Sequence, residues 1–252
     1  MTEPQKTKLI LIRHGEAISN VEPIIGGMIG DRGLTELGIR QAEALRDRLA
    51  HTGEIRADVL IASPLARAKQ TAEIIQPALN IPIQFDDAMQ ELQVGEADGM
   101  HVAEYKEKFG LPDFRNEPFR AIAPGGENWG SFLLRVAGGF ERILREHHGK
   151  NIVIVCHGGV IDASFILCIG MNSLFVPPIE FATINTSITH WETMEDKGIQ
   201  SRWRLMRYND AYHTMGVGRN RHINWNDVPL PEQQVEGHTS APVPTEEANT
   251  NA

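Results

Sequence analysis

Two apolar runs of the same design stand out along the chain. Each is short and ends abruptly in His-Gly: Lys8–Gly15 reads KLILIRHG and Asn151–Gly159 reads NIVIVCHGG. Short runs rich in Ile, Leu and Val are typical of strands that are buried on both faces of a sheet. Ligands of open α/β sheets bind beyond the carboxyl ends of such strands. The two histidines are therefore predicted to meet across one crevice.

The pattern around these runs predicts an alternation of helices and strands. A one-sided apolar stripe with Thr35 as N-cap predicts a helix from about Thr35 to Leu49. A strand over Asp58–Ala62 is followed by Ser63-Pro64, which predicts a helix capped by Ser63 that ends before Pro82. The remaining predicted elements are a strand near Ile83–Phe85, helices over Asn128–His147 and Gly158–Leu167, and strands over Thr183–Trp191 and Gln200–Tyr208.

These elements indicate an α/β fold, a three-layer α/β/α sandwich with a mostly parallel sheet, one antiparallel edge strand and a lid insertion. The two late strands are separated only by a turn around Asp196–Gly198, so we expect them to form an antiparallel pair at one edge. The insertion, at about residues 95–130, is long for a connection, so it either has its own helix or forms a lid over the site. We predict a single domain over residues 1–227 and a disordered tail over residues 228–252, which is rich in Pro, Glu, Thr and Asn.

Composition narrows the class of partner. The net charge of −9 argues against nucleic-acid binding, which requires a basic surface. No apolar run approaches the length of a transmembrane helix, and two cysteines are too few for a disulfide framework. We therefore expect a cytoplasmic protein with no nucleic-acid or membrane partner. The sequence does not determine its oligomeric state.

Two arginines accompany the histidines at the predicted strand ends. Arg13 precedes His14, and Arg67 lies in the opening turn of a helix that follows a strand. Guanidinium groups and helix N-termini both suit phosphate oxygens. For either arginine alone an ordinary surface charge would be the favoured explanation, but the shared position of Arg13, Arg67, His14 and His157 beside strand ends favours a site for a dianion.

A metal site is the competing interpretation. The potential ligands are His14, Glu16, Glu91, His157 and Asp162. They do not form a recognisable metal-binding spacing such as His-x-x-x-His or Cys-x-x-Cys, and the two arginines would repel a cation. We therefore predict that the protein uses no metal and no cofactor.

The segment Arg13-His14-Gly15-Glu16 resembles the signature of the histidine phosphatase superfamily, which includes cofactor-dependent phosphoglycerate mutases and many phosphomonoesterases. The similarity extends over most of Lys8–Tyr208. The further matching segments are Asn20, Leu34–Gly38 with Gln41-Ala42, Ser63–Ala68 with Gln70–Ala72, Glu91 with Gly95 and Gly99, Pro124–Glu127 and Cys156–Gly159. One departure is Ala97, which replaces the bulky aromatic residue often found in the loop after Glu91.

The resemblance implies a role for each candidate residue. His14 would attack phosphorus and form a phosphohistidine, and Glu91 would protonate the leaving oxygen. The phosphate would be held by Arg13, Asn20, Arg67 and His157. Without the resemblance, Glu91 would be interpreted as a solvated carboxylate on a loop.

The implied activity is hydrolysis of a small-molecule phosphate ester by a phosphomonoesterase. Phosphoglycerate mutase-type phosphotransfer is an alternative, but the family's mutases carry a basic insertion that this chain lacks. A non-catalytic sensor of a phosphorylated ligand is the other alternative. The insertion instead carries aromatic residues that either line a substrate pocket or pack the lid, namely Phe109, Phe114, Phe119 and Trp129.

Overall fold

The centre of the fold is a six-stranded sheet. The structure, a computed structural model, describes residues 6–171, 176–177, 179, 181–194, 201–220 and 222–231. The strands are β1 (Lys8–Arg13), β2 (Val59–Ala62), β3 (Ile83–Phe85), β4 (Asn151–Cys156), β5 (Ile188–Thr193) and β6 (Trp203–Asp210). Their order is β3-β2-β4-β1-β5-β6. The first four pair in parallel, whereas β5 pairs antiparallel with both β1 and β6. The prediction of a mostly parallel sheet with antiparallel pairing at one edge is confirmed.

Helices cover both faces of the sheet. They are α1 (Ile18–Val21), α2 (Glu36–Thr52), α3 (Ala66–Leu79), α4 (Val102–Phe109), α5 (Trp129–Glu146) and α6 (Gly158–Ile169). Helix α2 begins after Thr35, whose hydroxyl accepts a hydrogen bond from the Gly38 backbone N–H at 3.0 Å, as expected of an N-cap. No helix in the described ranges combines the length and apolar character needed to cross a membrane.

Alternate side chains of the strands enter two separate cores. Leu9, Leu11 and Ile154 pack against α5 and α6, whereas Ile10, Ile12 and Val153 pack against α2 and α3. Because successive strand residues point to opposite faces, uninterrupted apolar strands require helices on both sides. The three-layer α/β/α sandwich is thus confirmed.

Two predicted boundaries are corrected. Helix α3 begins at Ala66 rather than at Pro64, because Leu65 has extended backbone angles (φ −59°, ψ 134°). Strand β5 begins at Ile188 rather than at Thr183, because Thr186 has a positive φ of 57°, which is incompatible with an extended strand. The turn predicted around Asp196–Gly198 lies outside the described residues.

A third apolar cluster is separate from the two cores on the sheet and takes most of its buried members from the insertion predicted at 95–130. We call it the lid cluster; its buried members are Ile25, Val94, Ala97, Val102, Tyr105, Ile122 and Ala123. Trp225 and Val228, near the end of the described chain, pack against it. The tail was predicted to begin at residue 228, yet Val228 is part of this packing. Residues 232–252 lie outside the described part.

Candidate active site

His14 and His157 lie side by side at the carboxyl ends of β1 and β4. These neighbouring strands are parallel, with Arg13 in register with Cys156, so the next residue of each emerges at the same edge. The ring centroids of the two histidines are 5.2 Å apart. The parallel pairing of two similar apolar strands therefore brings the two predicted histidines together.

The hydrogen bonds of His14 identify its tautomer. Nδ1 lies 2.6 Å from the Gly15 carbonyl oxygen, which can only accept, so Nδ1 carries the proton. Nε2 lies 3.2 Å from Nε of Arg67, which can only donate, so Nε2 carries a lone pair. Burial, followed by the charges of Arg67 and Arg13, lowers the pKa of His14 well below its usual value. His14 is therefore a neutral imidazole with an available nucleophilic nitrogen.

Arg67 is oriented by an aspartate that the sequence interpretation did not identify. The Asp31 carboxylate accepts hydrogen bonds from Nη1 of Arg67 at 2.9 Å and from its backbone N–H at 3.1 Å. Nη1 of Arg67 also donates to the Gly26 carbonyl oxygen at 3.0 Å. Asp31 is the one carboxylate in the glycine-rich stretch from Gly26 to Gly33, which is the signal that could have pointed to it.

Arg13 is half-buried and lies close enough to Arg67 and Glu91 to interact with their charges. Its Nη1 donates to the carbonyl oxygen of Thr183, while its Nε is buried without a partner among the described residues. Burial is the main influence that lowers the pKa of Arg13, and the charge of Glu91 opposes it. Two guanidinium groups are thus concentrated beside one neutral histidine, an arrangement suited to a dianion.

Glu91 is held against the first turn of α6. Its Oε2 accepts from the Gly159 N–H at 3.0 Å, and its Oε1 accepts from its neighbour Leu92 N–H at 3.1 Å. A Cβ atom at position 159 would lie 2.4 Å from Oε1 of Glu91, so only glycine allows this approach. The resulting geometry directs an acid–base group to the site from a different loop than His14.

Asn20 belongs to the short helix α1 and is fixed by two donors. Its Oδ1 accepts from the Ala17 N–H at 3.0 Å and from Nδ2 of Asn185 at 3.4 Å. Asn185 in turn donates to the His14 carbonyl oxygen at 3.1 Å. Asn185 was not identified from the sequence, since it follows β1 by a long separation along the chain.

His157 lies deeper than the other candidates. It is fully buried, and its Nε2 is 2.8 Å from Oγ of Ser63. Ser63 was predicted to cap a helix, whereas in the structure it contacts this histidine. Burial and the neighbouring Arg67 and His14 lower the pKa of His157 well below its usual value. The Nδ1 of His157 is buried without a partner among the described residues.

A cavity of about 480 Å³ opens in front of these groups. Its inner end contains five of the six predicted site residues: Arg13, His14, Asn20, Arg67 and Glu91. His157 stands beside His14 and is not part of the cavity wall. Of the four aromatic residues considered for the pocket, only Phe114 lines it. Phe119 is 63% exposed, Phe109 packs on Tyr105 and Trp129 packs on Phe132.

Part of the wall comes from a C-terminal segment that the sequence interpretation had not connected with the site. His222, Ile223 and Trp225 line the cavity. Nε2 of His222 lies 2.8 Å from Oδ1 of Asn185, and the Ile223 N–H donates to the Asn20 carbonyl oxygen at 2.8 Å. The only sequence signal was a pair of large apolar residues just before the polar tail.

The competing metal interpretation can be examined on the same geometry. Within the described ranges, no three His, Cys, Asp or Glu side chains are placed so that they could hold a metal ion together. What the site concentrates instead is a neutral nucleophile, two guanidinium groups and one carboxylate. This set can bind a dianion, attack it and transfer a proton.

Comparison with known proteins agrees with this chemistry. The sequence profile described as "Histidine phosphatase superfamily (branch 1)" matches residues 9–210. An uncharacterized phosphatase named PhoE from Bacillus subtilis is 30% identical over 211 residues, which are 83% of this chain and 98% of that protein. A metal-independent phosphoserine phosphatase from Arabidopsis thaliana is 30% identical over 223 residues, covering 86% of this chain and 87% of the relative.

A solved structure extends the comparison to the fold. A phosphoserine phosphatase variant from Entamoeba histolytica, in complex with phosphoserine, superposes with a TM-score of 0.64 at 26% identity. The superposition covers 82% of this chain and 98% of that one. The similarity thus extends from the sequence to the overall fold.

Proposed function

The chain belongs to branch 1 of the histidine phosphatase superfamily, and from this premise we propose that it hydrolyses a small organic phosphate monoester through a phosphohistidine on His14. The observation that carries the proposal is the state of the His14 ring. Its Nε2 is unprotonated and lies 3.2 Å from Nε of Arg67. The proposed nucleophile and an anion-binding group are therefore in direct contact. A neutral imidazole can attack phosphorus without first losing a proton.

The first step transfers the phosphoryl group to the enzyme. The lone pair on Nε2 of His14 forms the N–P bond while the bond from phosphorus to the ester oxygen breaks. On substrate binding, the Arg67 guanidinium shifts its hydrogen bonding from Nε2 to the phosphate oxygens, and Arg13 supplies further donors. Both charges stabilise the negative charge that the transferring group spreads over its oxygens.

Glu91 completes the proton balance of both steps. In the first step its carboxyl gives a proton to the leaving oxygen, which takes the electron pair of the broken bond. In the second step the carboxylate accepts a proton from water as the water attacks the phosphohistidine, and the N–P electron pair returns to His14. The products are the alcohol and inorganic phosphate. His157, which is not part of the cavity wall, is buried against His14 with ring centroids 5.2 Å apart and packs behind the nucleophile.

Replacement of the nucleophile tests the proposal. His14→Ala should abolish turnover of p-nitrophenyl phosphate, whereas His51→Ala, at an exposed position near the end of α2, should leave it unchanged. Rapid quenching of the parent protein with a labelled substrate should trap base-stable, acid-labile phosphate on His14.

Three outcomes would overturn the proposal that His14 catalyses hydrolysis of a phosphate monoester. Label on another residue would exclude His14 as the nucleophile. Binding of phosphate esters with no turnover would indicate a sensor. Isomerisation of a phosphoglycerate that requires a bisphosphorylated primer and exceeds hydrolysis would indicate a mutase.

A further inference from the structure

We infer that the preferred substrate is the phosphate monoester of an uncharged, largely apolar alcohol, and that the C-terminal segment at residues 222–228 forms part of its binding wall. We call this segment the strap. The inference rests on the proposed function and adds the chemical class of the leaving group. It separates this chain from its relatives named for phosphoserine, whose substrate carries a carboxylate and an ammonium group.

The cavity wall beyond the phosphate end is apolar. Its larger side chains come from the loop before the lid cluster, from the lid cluster itself and from the strap, namely Ile24, Leu92, Val94, Phe114, Ile223 and Trp225. Pockets of this composition take up apolar ligand surface, and the few polar groups among them fix orientation. Here the polar groups are concentrated at the phosphate end.

Among the residues that the structure describes, the same wall offers no further cation to a second anionic group. Arg13 and Arg67 are the only arginines or lysines among the described residues that line the cavity, and both are placed around the His14 nucleophile. A substrate carboxylate in the outer part would lose water without gaining an ion pair, which is strongly unfavourable.

His222 does not supply the missing charge. Its Nε2 donates to Oδ1 of Asn185, and burial together with the nearby Arg13 lowers the pKa of its ring below the usual value. Glu16 opposes this shift. A histidine with a lowered pKa is mostly neutral at pH 7, so His222 adds a polar but uncharged group to the described lining of the outer cavity.

The strap is a fixed part of the wall because it is attached at both ends. The Ile223 N–H donates to the Asn20 carbonyl oxygen at 2.8 Å, which joins the strap to the phosphate end. The Trp225 ring meets Tyr105 edge to face, with centroids 5.7 Å apart. Nζ of Lys106, on the same helix as Tyr105, donates to the carbonyl oxygens of Trp225 at 3.2 Å and Val228 at 2.6 Å.

A matched pair of substrates tests the class directly. Propyl phosphate and O-phosphoserine have the same three-carbon length and differ by the carboxylate and ammonium groups. We expect kcat/KM for propyl phosphate to exceed that for O-phosphoserine by about a hundredfold, and 3-phenylpropyl phosphate to be better still, since each added apolar contact contributes about tenfold or more.

Substitutions in the cavity wall test which residues produce the preference for apolar esters. Trp225→Ala and Phe114→Ala should each lower kcat/KM for 3-phenylpropyl phosphate by about tenfold or more, with little change for ethyl phosphate. Phe119→Ala is the matched control, since Phe119 is on the same insertion but 63% exposed and outside the cavity lining. Phe114→Arg should raise kcat/KM for O-phosphoserine, because it adds the missing cation.

The outcomes separate this inference from the proposed function. Turnover of all esters with O-phosphoserine as good as propyl phosphate would overturn the inference and leave the phosphatase activity standing. If no ester is turned over, calorimetry with 3-phenylpropylphosphonate and 2-amino-4-phosphonobutanoate gives the answer. Tighter binding of the apolar phosphonate would support the inference without catalysis, and equal or weaker binding would overturn it.

Discussion

Asp31 and Arg67 form a buried ion pair next to His14. Nη1 of Arg67 and Oδ2 of Asp31 are 2.9 Å apart, and their side chains are 6% and 1% exposed. Because Asp31 also accepts from the Arg67 backbone N–H, the side chain and the first turn of α3 are fixed together. This pairing leaves Nε of Arg67 directed at His14.

The first prediction is that Asp31→Asn lowers kcat/KM by about tenfold or more while the protein remains folded. An asparagine oxygen can still accept one hydrogen bond, but the ion pair that fixes the guanidinium is lost, and misplacement of a catalytic donor is costly. The measurement is kcat/KM for p-nitrophenyl phosphate together with the inhibition constant of inorganic phosphate. Removal of one partner of a buried pair also costs about 3–5 kcal/mol of stability, which urea unfolding would detect.

Asp47→Asn is the control, because Asp47 pairs with Arg46 at a side chain that is 68% exposed. An Asp31→Asn protein with unchanged kcat/KM and phosphate inhibition would show that the ion pair does not position Arg67.

The second prediction concerns stability against acid. Nδ1 of His213 accepts a hydrogen bond from Nη1 of Arg48 at 3.4 Å, and Nε2 of His213 lies 2.8 Å from Oγ1 of Thr186. A proton on Nδ1 would face the Arg48 guanidinium. Burial and the charge of Arg48 lower the pKa of His213 from 6.5 to about 4, against the opposing charges of Asp210 and Glu54.

The direction of the pH dependence of stability follows from proton uptake at His213. Between pH 6.5 and about 4, His213 is protonated in the unfolded chain but not in the folded chain. The free energy of unfolding therefore falls as the pH falls through this range. From pH 7 to pH 5 the loss attributable to His213 is about 2 kcal/mol. Urea unfolding of the parent and His213→Gln proteins at pH 7 and pH 5 measures the contribution of His213 to this loss of stability. An equal pH dependence in the two proteins would contradict it.

The third prediction is that catalysis requires no metal. The charge that a metal would supply at the transferring phosphoryl group comes from Arg13 and Arg67. Prolonged dialysis against EDTA should therefore leave kcat/KM unchanged, with a metal-dependent phosphatase treated in parallel as the control. Loss of activity that zinc or magnesium restores would refute the prediction.

The inner part of the site could be predicted from the sequence because local patterns determine it. Two apolar runs ending in His-Gly become adjacent parallel strands, and that pairing alone brings His14 and His157 within 5.2 Å. Arg67 was predictable for the same reason, since a strand–turn–helix places its first turn at the same edge.

The outer part could not be predicted because it depends on contacts between distant segments. Trp225 is held at the cavity by contacts with Tyr105 and Lys106, and no spacing in the sequence links these residues. Ser63 is not the N-cap because the non-helical backbone at Leu65 delays the helix to Ala66, and its hydroxyl instead accepts from the Leu65 N–H at 3.3 Å and contacts His157 at 2.8 Å. The Asp31 partnership with Arg67 is likewise a tertiary contact.

The last prediction tests Glu91 as the proton donor. Among the carboxylates in the described part of the chain, Glu91 alone lines the cavity. Glu91→Gln should slow formation of the phosphoenzyme by about a hundredfold or more with an alkyl phosphate, and far less with p-nitrophenyl phosphate. The difference arises because an alkoxide needs a proton in order to leave, whereas p-nitrophenolate does not.

The comparison of two leaving groups also separates chemistry from structure. Glutamine cannot accept from both the Gly159 and Leu92 N–H groups as Glu91 does, since one side of its amide is a donor, so the loop itself will be disturbed. That disturbance slows both substrates by the same factor, whereas loss of the acid slows only the alkyl ester. Single-turnover rates of the first step are required, because the proposed mechanism also uses Glu91 in the later hydrolysis. An equal loss with both substrates would mean that Glu91 holds the loop and that the proton comes from elsewhere.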